Sequence, residues 1–222
     1  MARNNVVGKE RKMSEIHIKT GDLLLMEYVK PNFIQRTIAD TCDSLTTHNE
    51  TCVETRIGTI ETGYAAPPHF VMIPYSYRVQ QYEQGIIRFG VLRYKRFNQE
   101  SEWVERCRDI IRGSILTMAR LKVPYDTRDV IAIGRNVIRS HIPWLKPLIP
   151  EMEGKVYCTA SAQIAFEMAE INIFEALPRQ RFCAPIHVER AYYAGDFQFV
   201  ADFGIKDALD ARRPVPPKRG EA

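Results

Sequence analysis

The residue with the most chemical potential is Cys158, in the run Val156-Tyr157-Cys158-Thr159-Ala160-Ser161-Ala162-Gln163. The apolar segment that follows, AQIAFEMAEI, reads as a helix, so Cys158 falls in its first turn. Free backbone N–H groups and the helix dipole favour a thiolate there. The same N–H groups can donate to an oxyanion, so one place supplies a nucleophile and part of its transition-state stabilisation. The competing reading is a small buried side chain that packs the helix start, because cysteine is among the most buried residue types.

A thiol nucleophile needs a base that works near neutrality, and histidine suits that task. His48, preceded by Ser44-Leu45-Thr46-Thr47, stands at the start of a strand-like run and is the expected base. An ordinary surface histidine is the alternative. Glu61 is a carboxylate within an apolar and Thr-rich strand, expected to face His48 across a hairpin and orient its imidazole. Glu54 competes for that role, since His48, Glu50, Cys52 and Glu54 alternate onto one face of their strand. His69, His141 and His187 lie beside Pro-rich loops and are weaker candidates. HExxH, paired histidines at ligand spacing and Gly-rich phosphate loops are all missing, so neither a metal site nor nucleotide chemistry is expected.

The positioning elements read as an α+β domain. A Gly21-Asp22 turn feeds the buried strand Leu23-Leu24-Leu25-Met26, and residues 31–44 have helical spacing with Phe33, Ile34 and Ile38 on one side and Pro31 in the first turn. Residues 46–57 and 59–64 form a hairpin around Gly58, and strands follow at 69–77 and 86–94. Residues 101–121 carry Trp103, Val104, Cys107, Ile110, Ile111, Ile115 and Met118 at intervals of three and four, an amphipathic helix capped by Ser101. Residues 142–154 are Pro-punctuated, and short aromatic strands are expected at 190–193 and 197–203. The division is a polar lead-in at 1–14, one domain at 15–205 and a Pro-rich basic tail at 206–222 that reads as a loose tail or a docking strap.

Composition limits the function classes. The chain has 222 residues, 45% of them hydrophobic, which suits one domain with one core. Its net charge of +4, from 31 basic and 27 acidic residues, is too balanced for a dedicated nucleic-acid binder. It leaves a mild attraction to acidic polymers such as cell-wall material. Five cysteines without regular spacing do not read as a disulfide framework, which points to a reducing compartment. The polar, basic first eleven residues give no sign of a secretory leader, and no apolar run reaches the length of a membrane span. The expected location is cytoplasmic or virion-associated.

Taken in order, several short motifs resemble the circularly permuted NlpC-type branch of the papain-like cysteine hydrolases, including YiiX-like and lecithin:retinol acyltransferase-like proteins. Thr20-Gly21-Asp22-Leu23-Leu24-Leu25 is similar to the opening Gly-Asp strand of that branch, and Thr47-His48 to its Ser/Thr-His motif. Ile60-Glu61 matches an apolar-Glu-Ala motif, Val123-Pro124-Tyr125-Asp126 a Pro-Tyr-Asp signature, and Tyr157-Cys158-Thr159-Ala160 a Tyr-Cys-Ser-Glu nucleophile motif. Two positions depart: Ala160 replaces the usual Glu, and Asn49-Glu50 replaces a small apolar pair after the histidine.

The resemblance covers roughly residues 18–200. It implies an antiparallel sheet or half-barrel packed on the nucleophile helix, and a Cys158–His48–Glu61 triad that works without metal or organic cofactor. Tyr157, Thr159 and Tyr125, within the matching motifs, are the expected substrate-binding residues. The implied substrate is a peptide or other amide, cell-wall peptidoglycan included, with lipid esters or thioesters handled by acyl transfer as a further class. The rival expectation is a structural component of a larger assembly, such as a bacteriophage tail, that keeps the fold and binds partners through its C-terminal tail.

Overall fold

A computed structural model describes residues 17–125, 158–173 and 185–214. Its centre is a six-stranded sheet of order β4-β3-β2-β1-β5-β6, with every pair of neighbours antiparallel. The strands are β1 (Leu23–Tyr28), β2 (His48–Glu54), β3 (Ile60–Ala66), β4 (His69–Pro74), β5 (Ile87–Tyr94) and β6 (Phe197–Phe203). The helices are α1 (Phe33–Cys42), α2 (Tyr75–Glu83), α3 (Glu102–Arg120), α4 (Cys158–Met168), α5 (Pro185–Ala194) and α6 (Lys206–Ala211). The fold is thus a mixed α/β arrangement around an antiparallel sheet.

Strand alternation sends successive side chains of β1 to opposite faces. Leu23 and Leu25 join Val53, Phe70, Ile111, Ile115, Ala162 and Phe166 in the main core, under α3 and α4. Leu24 and Met26 join Cys52, Val79, Phe89, Val91 and Phe203 in a second core on the other face, under α2. Both faces of β1 are covered, which explains its unbroken apolar run. The preceding Asp22 is buried and accepts from Arg93 Nε at 2.8 Å and from the Lys19 N–H at 2.9 Å, so the start of the strand is fixed.

Two glycines matter to this frame. Gly58 takes φ +78° in the loop between β2 and β3, the left-handed region a hairpin connection calls for. Gly63 lies beneath α3, and a Cβ there would come within 2.6 Å of Phe70 and 2.8 Å of Ile115. A bare backbone at residue 63 therefore lets β3 approach the helix.

Helix α3 matches its expected span, with the Ser101 hydroxyl accepting from the Val104 N–H at 3.2 Å. Other expectations need correction. Pro31 precedes α1 rather than entering its first turn. Asn32 is the N-cap, in a capping box with Gln35 whose two bonds are each 2.9 Å. Phe33 is 84% exposed and does not belong to a buried stripe.

The strand expected over 69–77 opens at His69 but stops at Pro74, and α2 begins at Tyr75. Residues 190–193 are helical: Val188, Ala191 and Tyr192 of α5 are buried at helical spacing, which outweighs the strand preference of their aromatic rings. Packing also continues past residue 205, because Leu209 of α6 is fully buried in the main core. Residues 142–154 and the end of the tail lie outside the described residues.

Candidate active site

The site forms where the sheet opens. Strands β2 and β3 pair from Glu54 and Ile60 up to Thr51 and Gly63. Beyond that point β2 continues beside β1, with Asn49 opposite Leu25 and His48 opposite Met26, while β3 continues beside β4. In an antiparallel ladder, the N–H and C=O of one residue point to the same neighbour. The Cys52 N–H donates to Asp22 O and its carbonyl accepts from the Gly21 N–H, so even-numbered residues of β2 address β1. Odd-numbered ones address β3. The Asn49 N–H therefore points into the gap that β3 has vacated, and there it donates to the Cys158 sulfur at the start of α4.

The thiol consequently lies at the open edge of β2, within reach of side chains from both faces. From one face, His48 hydrogen-bonds it. Burial alone would push the imidazole below its usual 6.5, but the thiolate of Cys158, followed by Glu50, carries it up to about 9. Burial likewise opposes ionisation of Cys158. The positive His48, together with hydrogen bonds from His48 and the Asn49 N–H, overcomes it and holds the thiol below its ordinary value. Thr159 Oγ1 is 3.7 Å from the sulfur. By contrast, Cys52, on the same sheet, has no cation facing it closely enough to offset burial, and its thiol is pushed well up.

Behind His48 stands Glu50, fully buried, with Oε1 3.3 Å from His48 Nε2. The two atoms are close enough for an ion pair that favours the charged form of each. Arg78 of α2 donates to both carboxylate oxygens, with Nε 3.2 Å from Oε2, and Thr62 Oγ1 donates to Oε2 at 2.6 Å. Burial would raise Glu50, but His48 and Arg78 hold it below the usual carboxylate value. Tyr64 closes this side: its ring meets His48 edge-on at 5.0 Å, and the Arg78 guanidinium lies 4.8 Å from its centre.

The loop that delivers His48 is itself anchored. Glu189 of α5 is buried, and its Oε1 accepts from Ser44 Oγ at 2.6 Å and from the Thr46 N–H and Oγ1 at 2.7 Å each.

The structure thus brings Cys158, His48 and Thr159 together. Glu61 is elsewhere. It pairs with Val53, whose side chain is in the core under α3 and α4, so Glu61 faces away from the His48 side of the sheet. Val53 is also five residues from His48, about 16 Å at the usual rise of a strand. Glu54 shares the face of His48 but is six residues away, about 20 Å.

The carboxylate next to the imidazole is Glu50, two residues on. The alternation His48-Glu50-Cys52-Glu54 contained that answer, because i and i+2 are the nearest same-face neighbours along a strand. Tyr125 packs on the main core beside β4, its N–H donating to Pro68 O at 3.1 Å. Tyr157 lies outside the described residues. Sequence reasoning missed Arg78, Asn49 and Glu189. Arg78 could have been suspected only once α2 was recognised as a helix.

No protein-family model matches the chain, and no curated protein matches it in sequence. Among solved structures, it is similar to one described as metalloprotein YiiX from Escherichia coli O157:H7. The two share 14% identity and superpose with a TM-score of 0.56, over 83% of this chain and 97% of that one. The chain therefore has a YiiX-like fold. Among the described residues, no three His, Cys, Asp or Glu side chains converge to hold a metal ion. At Glu50, both oxygens are already taken by a guanidinium, whose charge would repel a cation. The described residues do not fit a metal here. None of their helices is long and apolar enough to cross a membrane.

Proposed function

We propose that the protein is a cysteine-dependent hydrolase or acyl-transfer enzyme of the circularly permuted papain-like kind, with Cys158 as nucleophile, His48 as base and Glu50 behind His48. The observation that carries this reading is the convergence of Cys158, at the start of α4, with His48, whose Nε2 lies 3.3 Å from the buried carboxylate of Glu50. A thiolate–imidazolium pair is a ready nucleophile, with the proton for the leaving group already on the histidine. Cys158 attacks the carbonyl carbon, and His48 then protonates the departing group. Water subsequently attacks the acyl-enzyme, and His48 takes its proton. Glu50, kept ionised by Arg78, orients and stabilises the imidazolium as the third member of a triad does.

Amides are the first substrate class, peptide links of cell-wall material among them, and esters or thioesters of lipids the second. The test is covalent labelling with an acylating thiol probe. The expected result is stoichiometric acylation of the wild-type chain at Cys158 and none of Cys158→Ala. Equal labelling of the two would sink the reading.

A further inference from the structure

Asn49 has four hydrogen-bonding functions beside the nucleophile. Its N–H donates to the Cys158 sulfur. Its side-chain Oδ1 accepts from Thr159 Oγ1 at 2.7 Å, in the residue next to that sulfur. Its carbonyl points, like its N–H, into the gap left by β3. The remaining group, the side-chain Nδ2, is completely buried and has no acceptor.

With Oδ1 accepting from Thr159 Oγ1, Nδ2 is left with two N–H bonds and no acceptor for either. Leaving such a group unsatisfied in the interior is costly, so the fold has a reason to hold it there. Thr51 Oγ1 and Gln163 Oε1, further along β2 and α4, also lack partners, but neither is tied to the residue beside the nucleophile. The first turn of α4 adds the Cys158 peptide N–H, one of the donors a helix start leaves free.

We infer that the Asn49 carboxamide is the second donor of an oxyanion site, acting with the Cys158 N–H on the oxygen of an acyl substrate. This rests on the cysteine-hydrolase reading. When the thiolate adds to the carbonyl carbon, a C–S bond forms and the carbonyl π pair moves to oxygen. Nδ2–H then finds the acceptor that the resting protein withholds. When the intermediate collapses, the C=O bond re-forms, the bond to the leaving group breaks, and that group takes its proton from His48. A donor that is preorganised and unspent is stronger at this moment than one that must first release a partner.

The experiment compares two probes on the full chain. Iodoacetamide alkylates the thiolate without creating an oxyanion, whereas p-nitrophenyl acetate acylates it through one. In Asn49→Ala, acylation should fall by about 10²–10³-fold relative to alkylation of the same variant, the usual loss for one oxyanion donor. Undiminished acylation overturns the inference. So does a parallel fall in both reactions, which would assign Asn49 to holding the thiolate instead. If the wild-type chain is not acylated at all, the hydrolase reading falls with it, and that result is distinct from the other two.

Should Asn49→Ala fail to fold, the wild-type protein still carries the test. With N-acetylglycinal bound to Cys158 as a hemithioacetal, the Asn49 side-chain N–H resonance should move downfield. An unmoved resonance overturns the inference.

Discussion

Arg78 reaches from α2 to both oxygens of Glu50, so the carboxylate behind His48 is fixed by a second helix and not by its own strand alone. Both partners are buried, and each charge offsets the other. Removing Glu50 strands the guanidinium, and removing Arg78 leaves Glu50 and the Cys158 thiolate to share the single charge of His48, a costly outcome even where the pair itself contributes little.

Arg78→Met should therefore lower stability by about 3–5 kcal/mol, as expected for breaking a buried pair. Urea denaturation measures this directly. The double change Arg78→Met with Glu50→Gln should recover part of the loss, since it removes the stranded charge. A double variant less stable than the single one would contradict the argument.

The thiol and imidazole set a window for reactivity. Cys158 ionises below its ordinary value of 9.0, and His48 releases its proton only at about 9. The ion pair is the dominant form between those two points. Alkylation of Cys158 should thus remain fast well below pH 9, where an ordinary thiol slows in proportion to its thiolate fraction. His48→Asn removes the cation and should move the thiol titration upward, with hydrolysis falling about 10²–10⁴-fold. Rate–pH profiles with iodoacetamide distinguish these outcomes.

The same coupling is visible from the histidine. Burial lowers His48, and the thiolate is the largest of the influences that raise it. In Cys158→Ala only Glu50 opposes burial, so the imidazole should titrate below about 9 by NMR. A titration unchanged by the substitution would mean that Glu50 alone sets the value.

Glu189 offers a test of positioning. Its Oε1 gathers three donors from the loop that leads into β2. Glu189→Ala strands those donors and should cost about 1–3 kcal/mol, with a fall in alkylation rate as His48 loses its anchor. Glu189→Gln keeps a carbonyl oxygen in that place and should sit much closer to wild type.

Much of this molecule was readable from residue order. The Gly21-Asp22 strand entry, the Gly58 hairpin, the Ser101-capped helix and the placement of Cys158 at a helix start all depend on local spacing, and the structure has each of them. His48 and Cys158 meet across 110 positions, which only the resemblance to a known arrangement could anticipate. Glu61 failed for a reason of register: motif order says nothing about which face of a strand a side chain takes, whereas parity along β2 does. Helices α2 and α5 were hidden because Tyr75, Tyr77, Tyr192 and Tyr193 resemble strand residues until their burial is known. Arg78 was hidden with them.

The parting of β2 and β3 after Thr51 and Gly63 sets up a choice that a single hydrogen must make. The peptide N–H of Asn49 can complete one more rung of the sheet or hold the sulfur, but it cannot do both. Drift that zipped the hairpin by one further rung would keep the fold and take that hydrogen away from the sulfur. A longer hairpin at this point would therefore separate the sulfur from its backbone donor even with the cysteine and histidine still in place.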